Sequence, residues 1–99
     1  MELHDIPAAF QTRLRMAIIS ALVTGEKTFN ELKSITQSTD GNLSVQLMKL
    51  EEYGCVLCSK AFVKRKPRTT YTLTEPGRQQ FVDYVNMLEK IMNTYYNEL

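Results

Sequence analysis

The chain has 99 residues, 43% of them apolar and 23% charged, with a formal net charge of +1, which suits one folded domain with a thin core and excludes a disordered composition. No run approaches the roughly 18 to 20 apolar residues of a membrane span, and the start carries Glu2 and Asp5 in place of a basic region ahead of an apolar run, so a cytoplasmic protein without a membrane partner is expected. The charge is uneven: residues 60 to 78 hold Lys60, Lys64, Arg65, Lys66, Arg68 and Arg78 against Glu75 alone, while the other 80 residues hold six basic and ten acidic side chains. Such a split suggests a localised anion-binding surface, although a charged hairpin tip is also an ordinary solvated feature.

In chain order, "AAFQTRLRMAIISALVTG" sets Phe10, Leu14, Ile18, Ala21 and Leu22 at helical spacing ahead of Gly25, predicting a first helix over about residues 7–23. In "KTFNELKSIT", Thr28 is followed three residues later by Glu31, the hydroxyl and carboxylate of a capping box. A short second helix that buries Phe29, Leu32 and Ile35 is expected. After the polar turn "TQSTDG", Leu43, Leu47 and Leu50 share one face of a third helix, with Asp40 and either Ser38 or Thr39 at its start and Gly54 suited to a left-handed residue past its end.

Beyond Gly54 the period becomes two. Val56, Cys58, Lys60 and Phe62 alternate on one strand, and Tyr71 and Leu73 alternate with Thr70, Thr72 and Thr74 on a second, a hairpin joined through "VKRKPR" in which Pro67 is expected to restrict the loop. Thr74 caps the last helix, with Pro76 in its first turn where a missing N–H has no partner to lose. From residue 75 the helical pattern runs nearly to the end, with Phe81, Tyr84, Leu88, Ile91 and Tyr95 spaced 3, 4, 3 and 4 and Val85 and Met92 widening the stripe. That is a heptad seam, expected to pair with its counterpart in a second subunit, the alternative being that one side of it packs on the first helix of the same chain.

Three helices followed by a two-stranded hairpin is the order of a winged helix-turn-helix. The fold class expected is therefore mainly α with a β-hairpin wing (α+β). Residues 1–74 form the DNA-binding region and residues 75–99 a C-terminal dimerisation helix, within one domain. "TDGNLSVQLMKLEEYGCV" together with "RKPRTTYTLTEPGRQQF" resembles the short winged-helix transcriptional regulators related to the MarR and ArsR groups, over about residues 13–84. The resemblance implies a DNA-binding regulator whose third helix enters the major groove and whose wing touches the backbone or minor groove. Lys64 and Arg65 stand where relatives often carry glycine, and Val45 and Gln46 stand where a Ser-His pair is common.

The residues themselves point the same way. Asn42, Ser44, Val45 and Gln46 are the base-reading candidates, because amides and hydroxyls match base edges and a small apolar group suits a thymine methyl. Thr39, Lys49, Lys64, Arg65, Lys66, Arg68 and Thr69 are the backbone candidates, acting through phosphate neutralisation and hydrogen bonding. The dimer candidates are Phe81, Tyr84, Val85, Leu88, Ile91, Met92 and Tyr95. A dimer places two third helices about 34 Å apart and requires a palindromic duplex. Catalysis is not expected: His4 is the only histidine, and no nucleophile-base pair, metal cluster or phosphate loop stands out. Cys55 and Cys58 form one CxxC within a strand-like run, short of the ligands zinc needs and read as reduced packing thiols. No metal or cofactor is expected, and Tyr84, Tyr95 and Tyr96 read as packing aromatics without a recognisable effector signature. The alternative function is a protein-interaction module whose basic wing meets an acidic partner.

Overall fold

A threonine starts each α-helix in the described part of the chain, residues 6–98 of the computed structural model, with side chains described through Tyr95. Expectations resting on Glu2, His4, Asp5 and the Tyr96 side chain lie outside the described residues. Thr12, Thr28, Thr39 and Thr74 precede α1 (Arg13–Val23), α2 (Phe29–Thr36), α3 (Asp40–Glu52) and α4 (Glu75–Glu98). Each Oγ1 accepts a hydrogen bond from the N–H three residues on, at 3.0 to 3.2 Å. Each such cap contributes about 1 kcal/mol. α1 therefore begins later than its apolar spacing predicts: Thr12 closes the start, and Ala8–Phe10 form a separate 3-10 turn that buries Ala9 and Phe10.

The capping box of α2 is complete, since the Thr28 N–H also donates to the Glu31 carboxylate at 2.9 Å. Only Leu32 of its three expected apolar residues is buried. Phe29 is half-buried, and Ile35 is 54% exposed. The reason is rotational drift: residues three apart fall about 60° short of a full circle, so six residues move the side chain about 120° around the helix. The turn into α3 carries Gln37 at φ 52°. It is spanned by an ion pair of 2.8 Å between Lys33 Nζ and Asp40, which at this exposure contributes well under about 1 kcal/mol.

Ile18, Ile19 and Leu22 of α1, Leu32 of α2 and Leu43, Leu47 and Leu50 of α3 interlock in one core that Cys55, Val56, Tyr71 and Leu73 close from the sheet side. Arg15 is buried beside them. Its guanidinium lies 5.6 Å from the centre of the Tyr53 ring and donates to the Tyr53 hydroxyl at 3.4 Å, tying the start of α1 to the end of α3. Gly54, at φ 75°, turns the chain from α3 toward the sheet.

The sheet has three antiparallel strands in the order β1 (Lys27–Thr28), β3 (Lys66–Leu73), β2 (Val56–Val63). The two-residue β1, which periodicity cannot reveal, pairs with Thr70 and Tyr71. β2 and β3 pair from Val56↔Leu73 out to Val63↔Lys66, so the connection is two residues long. Pro67 consequently lies in the strand, opposite Phe62, and does not restrict the loop as expected. It is tolerated because the pair next to a two-residue turn's flanking pair exchanges no ladder bonds, and β1 does not extend to that point.

Among the described residues, α4 meets the core through its first half. Phe81 and Tyr84 meet Phe10 of the same chain, at ring-centroid distances of 6.1 and 5.1 Å, and Met87 is buried. From Leu88 to Tyr95 every side chain is exposed, and the helix carries the molecule to an extent of 59 × 25 × 21 Å. Among the described residues no helix is long and apolar enough to cross a membrane.

Candidate nucleic-acid interface

The outward face of α3 follows from its inward one. With Leu43, Leu47 and Leu50 fixed in the core, the 100° step of the helix presents Asn42, Ser44, Val45, Met48 and Lys49 to solvent and leaves Gln46 half-buried. Asn42 and Gln46, one turn apart, already face each other, with Gln46 Nε2 3.5 Å from Asn42 Oδ1. The Gln46 Oε1 is enclosed without a donor. Thr39, expected on the DNA backbone, spends one lone pair as the cap of α3 and keeps its hydroxyl proton free to donate.

Facing α3 across an open groove of about 500 Å³ is the β2–β3 hairpin. The groove is lined by Ser44, by Lys60, Arg68 and Thr69 of the hairpin, and by Thr28 and Asn30 at the start of α2. Three of the candidate DNA-contact residues, Arg68, Thr69 and Ser44, are thus brought together around one groove. Lys60, Thr28 and Asn30 were not among the predicted contacts. Lys60 was visible in the charge cluster, and its period-two phase with Val56 and Cys58 carried the signal that it faces α3. Asn42 opens elsewhere, onto a groove lined by Arg13, Ile35, Gln37 and Ser38, so the four base-reading candidates span the whole width of α3.

Lys64 and Arg65 form the hairpin tip, with φ of 52° and 66°. Positive φ at both central residues is the signature of a type I′ turn, whose twist matches the flanking strands and whose usual residues are Asn and Gly. Non-glycine residues resist this conformation. Two cationic side chains are therefore held at the point farthest along the hairpin by a backbone they do not favour. Among the described residues none of Lys60, Lys64, Arg65, Lys66 and Arg68 forms an ion pair. Glu31 feels the charge of Arg68, but no carboxylate among the described residues closes on any of these five cations.

The heptad seam of α4 divides. Phe81 and Tyr84 are half-covered by Phe10, whereas Val85, Leu88, Ile91, Met92 and Tyr95, joined by Val82, are 41 to 58% exposed. This apolar stripe runs along a helix half whose side chains from Leu88 to Tyr95 are exposed.

Cys55 is buried and Cys58 half-buried, both as thiols. Burial pushes the Cys55 pKa up, which keeps the thiol protonated and a poor nucleophile. Among the described residues no group of three His, Cys, Asp or Glu side chains is placed to hold a metal ion.

The sequence pattern of the family described as winged helix DNA-binding domain matches residues 14–92. An uncharacterised protein of Methanocaldococcus jannaschii is 38% identical over 77 residues, 77% of this chain and 84% of the relative. Among solved structures, a transcriptional regulator of the MarR family from Enterococcus faecalis V583 superposes with a TM-score of 0.75 at 24% identity, covering 91% of this chain and 81% of its own. Diamide-treated YodB of B. subtilis gives 0.72 at 25% identity over 80% and 78% of the two chains.

Proposed function

The chain belongs to the winged helix DNA-binding domain family, and on that premise we propose that it acts as a homodimeric, sequence-specific DNA-binding regulator that represses transcription by occluding its operator. The family makes it a winged helix DNA-binding domain, and the fold it shares with a MarR-family regulator supports reading it as a transcriptional regulator. The DNA-contact part of this reading rests on one observation: Ser44, on the exposed polar face of α3, and Lys60, Arg68 and Thr69 of a hairpin whose cations form no ion pair among the described residues line a single groove.

In this reading α3 lies in the major groove. Asn42 and Gln46 offer amides to base edges, Val45 offers a methyl contact, and Ser44 lines the groove shared with the hairpin. A phosphate strand runs through the groove between α3 and the wing, where Lys60, Arg68 and Thr69 neutralise and bind it while Lys64, Arg65 and Lys66 reach the next strand. The exposed stripe of α4 pairs with that of a second copy. Pairing sets two α3 helices about one turn of DNA apart and makes the site palindromic.

Selecting bound duplexes from a random pool at near-physiological salt tests this directly. Enrichment of a palindrome with half-sites one helical turn apart is the expected outcome. A folded protein that enriches no sequence, and instead captures an acidic protein surface, would replace this function with that of a protein-interaction module.

A further inference from the structure

Phe62 is the most exposed large apolar side chain in the described chain, at 79%. Its position is unusual in three respects. First, the pleat places it in phase with Val56, Cys58 and Lys60, whose cross-strand partners are Leu73, Tyr71 and Thr69. Lys60, Thr69, Tyr71 and Pro67 all line the groove that faces α3, so Phe62 lies on the α3 side of the wing. Second, its cross-strand partner is Pro67, in a pair of the kind that exchanges no ladder bonds and brings side chains closest together. Phe62 and Pro67 form one apolar step, six residues beyond the core residue Val56 and hence about 20 Å out along the strand. Third, this step sits amid cations: Lys60 on one side, and Lys64, Arg65 and Lys66 at the turn.

A protein surface that welcomed the Phe62 ring would also have to accommodate this ring of positive charge. The minor groove of a duplex offers both complements at once, since apolar sugar edges and stacked bases lie there between two rows of phosphates. The tip is held out by two residues in left-handed backbone, a strain of the kind that structures retain at functional positions.

We propose that Phe62, backed by Pro67, is an apolar wedge that enters the minor groove beside the site occupied by α3 and partly unstacks one base step. The wing then contributes more than charge. It bends the duplex, and it favours sites with an easily unstacked pyrimidine–purine step at the position it meets, without a hydrogen bond to any base. This inference rests on the DNA-binding function proposed above.

The test compares full-length wild type, Phe62→Ala and Phe62→Leu on the duplex recovered by selection, with 2-aminopurine placed in turn at each base step under the wing. Phe62 is exposed, so circular dichroism is expected to give the same fold for all three. For wild type, fluorescence should rise at one step, and permuted-site mobility should report a bend. Phe62→Ala should lose the fluorescence signal and the bend and bind roughly tenfold more weakly, with the dependence on salt unchanged because no cation is lost. Phe62→Leu, still able to wedge, should recover part of the bend. Wild-type binding and bending matched by Phe62→Ala would overturn the wedge while leaving the regulator function intact. A change in oligomeric state with unchanged bending would assign Phe62 to a protein contact and also overturn it. Failure of the wild type to bind any duplex would instead overturn the DNA-binding function itself, and the wedge with it.

Discussion

Replacing the hairpin tip by Lys64→Asn with Arg65→Gly is expected to make the protein more stable and a weaker DNA binder. Both residues have φ in the left-handed region, at 52° and 66°, where an L side chain costs about 1 to 2 kcal/mol. Asn-Gly is the preferred pair for a two-residue turn of this kind. The relief is partly offset by the greater freedom of glycine in the unfolded chain, about 0.5 to 1 kcal/mol, so a net gain of about 1 kcal/mol is expected. In a domain of this size that raises the melting temperature by about 4 to 8 °C.

The same change removes two cations that form no ion pair in the described chain. If both neutralise phosphates, the slope of log affinity against log salt falls by about 1.8 per wing. The control is Lys64→Gln with Arg65→Gln, which removes the charge but keeps the strain; it should match the loss of slope without the gain in melting temperature, measured at one fixed protein concentration. An Asn-Gly variant no more stable than the Gln pair would refute the strained-turn argument. Undiminished salt dependence in both would show that the tip does not meet phosphate.

On α3, Gln46→Ala and Asn42→Ala should each change site preference by roughly 1 to 3 kcal/mol at one base pair; equal losses on selected and random duplexes would count against base reading. On α4, Leu88→Glu with Ile91→Glu places charge in the exposed apolar stripe and should give a monomer by analytical ultracentrifugation that binds the palindrome far more weakly, an unchanged dimer being the contrary result. Gly77→Ala should destabilise the fold by about 1 to 3 kcal/mol or more, because a Cβ there would lie 2.9 Å from the Cys55 Cα and closer still to its carbonyl oxygen. The contrasting Gly41→Ala, with nothing within 4 Å, should be neutral or stabilising by up to about 1 kcal/mol in chemical denaturation. Burial, then the neighbouring Cys58, pushes the Tyr71 pKa up to about 12 from 10; the folded state holds that proton more tightly, so stability should fall as pH rises from about 10 toward 12, and Tyr71→Phe should flatten that limb. Hydrogen bonds from Thr28 hold the Glu31 carboxyl below its ordinary 4.5, so its contribution is present above that pH and lost as pH falls through the lower folded value, a step that Glu31→Gln should remove.

Features legible in the sequence were those settled within a few residues. The capping box of Thr28 and Glu31, the leucine face of α3 and the threonine start of α4 each depend on side chains three or four positions apart, and each formed as the spacing predicts. What escaped depends on a distant partner. β1 exists only because Thr70 and Tyr71 stand beside it, and the Phe81 and Tyr84 positions in a heptad cannot say that Phe10 will cover them. The tip itself was legible at Lys64 and Arg65, but its backbone geometry was not: both adopt a left-handed conformation whose usual sequence marker is glycine, and Pro67 lies in the strand opposite Phe62 instead of restricting the turn. The candidate DNA face shows the same division. Asn42, Ser44, Val45 and Lys49 were readable from the phase of Leu43, Leu47 and Leu50, whereas Thr28 and Asn30 reach the groove only through the packing of α2 against the sheet.

The motif running from Thr69 to Arg78 in "TTYTLTEPGR" has a structural meaning beyond resemblance. Tyr71 and Leu73 enter the core, Thr74 Oγ1 donates to the Gly54 carbonyl at 2.6 Å and accepts from the Gly77 N–H at 3.0 Å, and the Thr74 N–H donates to the Cys55 carbonyl at 2.9 Å. Gly77 then packs onto that same Cys55 backbone, so close that only a hydrogen fits. One junction of Gly54, Cys55, Thr74 and Gly77 thus fixes the end of α3, the root of the wing and the start of α4 relative to one another. In the proposed mode of binding, α3, the hairpin and α4 are the three parts whose mutual angles would have to be held for a dimer to meet two half-sites at once. A disturbance at this junction, remote from any proposed DNA contact, would therefore misplace all three together, and loss of operator binding in a folded Thr74→Val protein is the consequence to look for.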